Sequence, residues 1–164
     1  MNSYLQSLRE KDVIRVEMVC LGNICRSPMA AAVLANRANE IASPNIIVSS
    51  SGTSSWHVGE SAHRLSEKTW TLAGYEHSHS ARQFLTDNFD QVDLILAMDL
   101  SNQANIFSLA RNEGDRQKVY LLRSFDPAAP SVEVPDPWGS EVEAYQEVLA
   151  MIEAAVSGLL KTLR

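Results

Sequence analysis

The reactive side chains of this sequence are concentrated in one short run, Cys20-Leu21-Gly22-Asn23-Ile24-Cys25-Arg26-Ser27-Pro28. It lies between a segment patterned as a β-strand and one patterned as a helix. In that position backbone N–H groups can turn inward as a cradle, and the helix dipole favours an anion there. A phosphate would fit. Gly22 and Asn23 are residue types that tolerate φ > 0, which such a loop needs if its amides are to converge. Cys20 would lie at the floor of the cradle, where the converging N–H groups, the helix N-terminus and Arg26 all favour the thiolate and so a nucleophile. Arg26 can grip two phosphate oxygens through its planar fork, which the point charge of a lysine cannot do. Ser27 can donate a hydrogen bond to the thiolate as attacking and as leaving group.

Cys20 and Cys25 are the only cysteines, too few and too close together to staple a secreted domain. A zinc site would need about four ligands, and only His77 and His79 are on offer to complete the set. An inert core cysteine is the plainer alternative. Arg26 as a solvated surface cation is disfavoured, because at a helix start positive charge opposes the dipole unless an anion is bound. A general acid is harder to choose. Asp136 and Asp126 each precede a proline in the same loop, and Asp-Pro is a common turn start. Spacing alone leaves both open; Pro135 and Pro137 stiffen Asp136, and Trp138 would desolvate its carboxyl. Trp56 and Trp138 sit in turn-rich segments, with burial in the core as the alternative. Asp99 reads either as a helix N-cap or as a carboxylate supporting the loop. His57, His63 and His77 read as surface residues.

The elements that must position these groups follow from periodicity. Val13 to Cys20 is short, β-branched and apolar at alternating positions, and stops at a Gly-Asn pair, which predicts a first strand. Ser27 followed by Pro28 and an alanine-rich stretch predicts a helix with Ser27 as N-cap. Ile46 to Ser51 reads as a second strand and Ser61 to Ala73 as a second helix, ended by Gly74 in a left-handed cap. Val92 to Met98 is nearly all apolar and reads as a third strand covered on both faces. Ser101 to Arg111 reads as a helix and Lys118 to Leu122 as a fourth strand. Val142, Tyr145, Val148, Leu149, Ile152, Val156, Leu159, Leu160 and Leu163 form a continuous helical stripe. Strands alternating with helices predict an α/β fold: a four-stranded parallel sheet with helices on both faces. Ligands bind such sheets beyond the carboxyl ends of the strands, where the Cys20 to Ser27 turn sits.

At 164 residues, 45% hydrophobic and 21% charged, the chain has the length and composition of a single globular domain. No apolar run approaches the ~18–20 residues of a membrane span, and MNSYLQSLREKD has no apolar core of a secretory signal. The chain therefore reads as cytoplasmic. Twenty acidic against fourteen basic residues, a net charge of -6, argue against nucleic-acid binding, so any anion site must be local. The proline-rich stretch from Asp126 to Trp138 reads as a functional loop.

With these residues in place, the sequence resembles the low-molecular-weight protein tyrosine phosphatase family. Beyond CLGNICRSP, the family's later landmarks occur in order: SSGTSSW (50–56), SHSARQ (78–83), MDLSN (98–102), and Asp136-Pro137-Trp138 where the family has its acid loop. The match runs from about Val13 to the last helix, so that residues 1–164 form one such domain and residues 1–12 are an extension with no assigned role. The resemblance implies Cys20 as nucleophile, Arg26 as phosphate ligand and Asp136 as general acid. It implies that Leu21, Gly22, Asn23, Ile24 and Cys25 build the phosphate cradle, with Asn23, Ser27, Ser50 and His79 as its hydrogen-bond support. Ile24, Trp56 and Trp138 would line an aryl pocket. The implied reaction is hydrolysis of phosphotyrosine and other aryl phosphomonoesters through a cysteinyl-phosphate, with no metal or other cofactor. The partners would be phosphotyrosine-containing proteins, and the chain a monomer or weak oligomer. Many eukaryotic members carry two tyrosines after the Asp-Pro; this chain has Trp138-Gly139, so phosphorylation of such a pair is not available.

Three rivals are weighed on residues. An arsenate reductase on the same scaffold needs further cysteines downstream, and none follows Cys25. A protein-arginine phosphatase of the related type carries threonine where this chain has Ile24, and the bulkier apolar side chain suits an aryl ring better than a guanidinium. A silent phosphate-binding module would have no need of Cys20, Arg26 and Asp136 together.

Overall fold

The strand that delivers Cys20 is the centre of the sheet. In the computed structural model, which describes residues 2–164, a short helix α1 (Ser3–Leu8) precedes β1 (Val13–Cys20), followed by α2 (Arg26–Arg37), β2 (Asn45–Gly52), α3 (Arg64–Leu72), β3 (Leu94–Ala97), α4 (Leu100–Leu109), α5 (Glu113–Arg116), β4 (Val119–Leu121) and α6 (Val142–Leu163). The sheet order is β2-β1-β3-β4, and every pair is parallel. The register places Cys20 beside Gly52 and Val19 beside Ala97, so three strands end together under the loop.

Alternation along the strands feeds two cores. Ile14, Val16, Met18, Leu94 and Leu96 face a large cluster with α1, α2, α3 and α6, whereas Val19, Ile95 and Ala97 face a smaller one with Ile106 of α4, Phe84 and Phe89. All four residues of β3 are buried, as a strand covered on both faces requires. The long stripe is α6, whose Tyr145, Val148, Ile152, Val156, Leu159 and Leu163 are at most 1% exposed.

Several boundaries differ from the sequence expectation, each for a local reason. Ser27 is not an N-cap: α2 starts at Arg26, and the Ser27 hydroxyl is spent on Cys20 instead. The second helix begins at Arg64 rather than Ser61, because His63 caps it, Nδ1 accepting from the Leu65 N–H at 3.1 Å. The third and fourth strands are shorter than their apolar runs, and α1 and α5 have no strong periodicity to announce them. Gly74 does adopt a left-handed conformation, with φ 94°; Gly22 does not, and Asn23 alone in the loop does, with φ 56°.

The loop after β4 is anchored at both ends. A Cβ at Gly158 of α6 would fall 1.8 Å from the Phe125 carbonyl oxygen, so only glycine lets the loop start against that helix. Further on, the Val134 N–H donates to the Met98 carbonyl at 2.8 Å, and Val134 is fully buried.

Residues 2–12 also have a structural place. Leu5 and Leu8 of α1 join the main core, and Arg9 Nε donates to the Thr162 carbonyl at the end of α6 at 2.8 Å. Leu8 is 2% exposed, and truncating a buried leucine costs about 2–5 kcal/mol. Leu8→Ala is therefore expected to lower stability by that amount in urea unfolding. A shift under 0.5 kcal/mol would show that the extension is a passive appendage.

Candidate active site

A peptide unit in the trans form points its C=O and the following N–H in opposite directions. Around the loop the carbonyls are drawn outward one by one. The Cys20 carbonyl accepts from the Thr53 N–H at 2.9 Å, and that of Leu21 from the Ser54 N–H and hydroxyl, each at 3.0 Å. The Asn23 carbonyl accepts from His79 Nε2 at 2.6 Å, that of Ile24 from the His63 N–H at 2.8 Å, and that of Cys25 from the Ser66 hydroxyl at 2.6 Å. The N–H groups of Leu21, Gly22, Ile24, Cys25 and Arg26 are thereby left to face the enclosed side. That is an anion cradle at the start of α2. Gly52 is what lets β2 run beneath it: a Cβ there would lie 2.7 Å from the Leu21 carbonyl oxygen and 3.0 Å from the Asn23 nitrogen.

Cys20 sits within the cradle, 3% exposed. Its Sγ receives the Asn23 N–H at 3.3 Å and lies 3.0 Å from the Ser27 hydroxyl. Asn23 Nδ2 in turn donates to Ser27 Oγ at 2.7 Å and to Ser50 Oγ at 3.0 Å. Ser27 accepts from Asn23, and its own proton has two acceptors in reach, Cys20 Sγ at 3.0 Å and the Ser51 carbonyl at 3.3 Å. The bond from His79 to a carbonyl requires the proton on Nε2, and burial lowers the His79 pKa against the opposing pull of that carbonyl, which keeps the ring neutral.

Arg26 is 2% exposed. Its Nη1 donates to Asp99 Oδ2 at 2.7 Å and to the Val134 carbonyl at 2.9 Å. This leaves the other edge of the guanidinium: Nε is buried without a partner, and Nη2 has Asp136 Oδ2 at 3.8 Å. Burial opposes the charge, but Cys20, Asp99 and Asp136 outweigh it and raise the Arg26 pKa. Asp99 serves both of its expected readings at once, since Oδ1 caps α4 at the Asn102 N–H, 2.7 Å away, while Oδ2 holds Arg26.

These groups open into one pocket of about 250 Å³ lined by Cys20, Leu21, Gly22, Ile24, Cys25, Arg26, Trp56, His57, Asp136 and Trp138. Trp56 and Trp138 are 71% and 64% exposed, so they are walls of the mouth and not core residues. The two Asp-Pro turns are told apart here. Both aspartates fold onto the N–H two residues on, at 3.1 Å for Asp136 and 3.0 Å for Asp126, but only Asp136 lines the pocket. Its side chain is 44% exposed, so Trp138 does not desolvate it in this conformation.

Two groups lie outside the sequence reading. His57 is a pocket wall and not merely a surface residue: Nδ1 pairs with Glu60 at 2.9 Å, and a Cβ on Gly22 would meet its Cδ2 at 3.0 Å. Its place directly after Trp56 was the available signal. Arg82 reaches the loop from behind, its N–H donating to Asn23 Oδ1 at 3.0 Å and its Nε to the Ser50 carbonyl at 3.0 Å. His63 and His77 are likewise partly buried, His63 stacking on Tyr145 and His77 edge-on to Trp70. Among the described residues no group of three or more His, Cys, Asp and Glu side chains is arranged to hold a metal ion.

Comparison with known proteins agrees with this geometry. The family model described as low molecular weight phosphotyrosine protein phosphatase matches residues 15–164. A low molecular weight protein-tyrosine-phosphatase from Streptomyces coelicolor is 42% identical over 153 residues, covering 92% of this chain and 93% of that one. A protein tyrosine phosphatase from Entamoeba histolytica superposes with a TM-score of 0.86 at 31% identity, covering 92% and 96% of the two chains. An arginine phosphatase from Geobacillus stearothermophilus shares the fold with a TM-score of 0.78 at 28% identity, covering 92% of each. The chain belongs to the low molecular weight phosphotyrosine protein phosphatase family. It is an enzyme of the protein-tyrosine-phosphatase class.

The two cysteines differ in setting. Cys25 is 4% exposed, its Sγ lies 3.6 Å from the Tyr145 hydroxyl, and burial pushes its thiol up to about 12. It therefore stays a neutral thiol at ordinary pH, and only the thiolate reacts. Iodoacetate at pH 7 is expected to add once, on Cys20, as read by intact mass and peptide mapping. Modification of Cys25 at a comparable rate would contradict the assignment of Cys25 as the inert member of the pair.

Proposed function

We propose that the chain hydrolyses phosphotyrosine in proteins through a covalent cysteinyl-phosphate, without a metal. The observation that carries the reading is the convergence of Cys20, Arg26 and Asp136 on one pocket whose mouth is walled by two exposed tryptophans. The phosphoryl oxygens sit on the inward N–H groups and on the free Nε and Nη2 edge of Arg26, a fork matched to two of them. The Cys20 thiolate attacks phosphorus in line. The S–P bond forms as the P–O bond to the aryl group breaks, and Asp136 gives its proton to the departing phenolate. Water then attacks the cysteinyl-phosphate, Asp136 takes its proton, and inorganic phosphate leaves with Cys20 restored as thiolate. Charge on the equatorial oxygens is met throughout by fixed N–H dipoles and Arg26, the main electrostatic contribution.

Ile24 and the tryptophans support an aryl substrate. The arginine-phosphatase neighbour keeps the alternative substrate in view; against it stands the apolar Ile24 in the pocket wall, which offers no hydrogen-bond acceptor to a guanidinium. The deciding assay compares phosphotyrosine, phosphoserine and phosphoarginine peptides in the presence of a chelator. Phosphotyrosine is expected to turn over fastest, with no loss to chelation. Faster turnover of phosphoarginine would reassign the substrate.

Two variants test the roles. Cys20→Ser is expected to abolish turnover while keeping inorganic phosphate binding, because the cradle and Arg26 remain; turnover near wild type would remove Cys20 as nucleophile. General acid catalysis contributes about 10²–10⁴-fold. Asp136→Asn is expected to lose that much on alkyl and phenyl phosphates and far less on p-nitrophenyl phosphate, whose leaving group needs no proton. Equal losses on both, or a larger loss from Asp126→Asn, would move the acid elsewhere.

A further inference from the structure

The charged residue best hidden in this protein is not in the pocket. Glu17 lies in β1, three residues before Cys20, and is 0% exposed. Its Oε1 accepts from the Ser49 hydroxyl at 3.0 Å and from Arg82 Nη2; its Oε2 accepts from the Ser51 hydroxyl at 3.1 Å and from Asn88 Nδ2 at 2.7 Å. A carboxylate buried without water is tolerable only when its lone pairs are filled in this way. Of the four donors only Arg82 carries charge.

Arg82 is where this buried anion connects to the loop. Its side chain is 43% exposed, so solvent alone would leave it mobile; Glu17 fixes it from beneath. Once fixed, its Nε holds the Ser50 carbonyl, while its backbone N–H donates to Asn23 Oδ1. The Asn23 amide then has one orientation: its oxygen faces Arg82 and its nitrogen faces the hydroxyls of Ser27 and Ser50. Asn23 also carries the loop's left-handed backbone, φ 56°, a conformation that asparagine adopts with the help of local hydrogen bonds from its side chain. Its own N–H is the one aimed at Cys20 Sγ. Ser51, which donates to Glu17, accepts from the Ser27 hydroxyl through its carbonyl at 3.3 Å.

We propose that Glu17 is a positioning residue for the phosphate loop, acting through the Arg82 side chain on Ser50, the hydroxyl partner of Asn23, so that the loop amides and the Ser27 hydroxyl stay aimed at Cys20 and its anion. The proposal rests on the phosphatase reading above for its kinetic consequence, though not for its effect on anion binding. A carboxylate is specifically required. A glutamine of the same shape has one acceptor oxygen: with it on Arg82 and Ser49 the charge attraction is lost and the NH₂ opposes Asn88 Nδ2, and with the amide reversed the NH₂ opposes Arg82.

The test compares Glu17→Gln, Arg82→Met, the double variant and Ser49→Ala in the full chain. Each is measured for kcat and KM on p-nitrophenyl phosphate, for inorganic phosphate affinity by tryptophan fluorescence, and for Tm. Both single variants are expected to lose about tenfold in kcat/KM and in phosphate affinity, and the double to lose no more than the worse single, as residues on one path do. Ser49→Ala, which removes a donor to Glu17 without touching Arg82, is expected to lower Tm and leave the kinetic constants alone. Glu17→Gln with wild-type kcat/KM and phosphate affinity below its Tm, or losses that multiply in the double variant, would overturn the proposal. Should Glu17→Gln fail to fold, Arg82→Met breaks the same link from the exposed side, and wild-type phosphate affinity there overturns it equally. A wild type that hydrolyses no aryl phosphate would sink the phosphatase reading, and the phosphate titrations would still decide for or against Glu17.

Discussion

An amide can face a ligand only if the carbonyl of the same peptide unit has somewhere else to go. This requirement organises the whole ligand end of the protein. Five carbonyls between Cys20 and Cys25 find their partners in three different segments: residues 53–54 after β2, residues 63–66 at the start of α3, and His79. Each segment is remote in sequence from the loop and has its own packing reason to be there. An unpaired buried carbonyl costs more than a made hydrogen bond returns, so the cradle is as stable as these outer partners are fixed. The close passage of Gly52 belongs to the same arrangement, because any side chain there would push the loop off its supports.

The second requirement is a buried cation with an unfilled edge. Arg26 has two acceptors on Nη1 and carboxylates on both sides, which makes its burial tolerable before any anion arrives. Asp99 and Val134 come from the ends of β3 and the 126–138 loop, so holding Arg26 also fixes where that loop returns to the sheet. Asp136 follows Val134 by two residues and is thereby carried to the pocket. The net charge of -6 is no obstacle to an anion ligand, because the field at the pocket is set by these few fixed groups.

The α/β sheet explains why the parts meet but not what they act on, since one scaffold serves several phosphate chemistries. Substrate choice falls to the walls: Ile24 beside the cradle, Trp56 and Trp138 at the mouth, and His57 against Gly22. Large exposed aromatics at a pocket rim present a ready surface for a planar ring, with little ordering cost beyond their two torsions. Trp56, Trp138 and His57 make no hydrogen bond to the loop backbone, so the pocket mouth can be altered separately from the cradle, to which only Ile24 of these walls belongs.

The sequence by itself determined the four strands, the long last helix and the loop that joins β1 to α2, because each rests on short-range signals: alternation, a 3.6-residue stripe, and a turn whose residue types match its backbone. Cys20, Arg26 and Ser27 were legible in the loop motif, whereas the support network of Asn23, Ser27, Ser50 and His79 was implied only by the family resemblance. The choice between Asp136 and Asp126 was not settled by spacing, since both make the same local turn; the buried seat of Val134 and the Phe125 contact at Gly158 send only Asp136 to the pocket. The start of α2 escapes local pattern for a similar reason: a serine before a proline looks like an N-cap, and only the folded loop gives its hydroxyl a partner in Cys20. Arg82 and Glu17 carried no local pattern that separates them from surface or strand residues. Their roles arise from neighbours dozens of positions away, and contacts at that distance exist only once the sheet has brought β1, β2 and the 78–83 segment together.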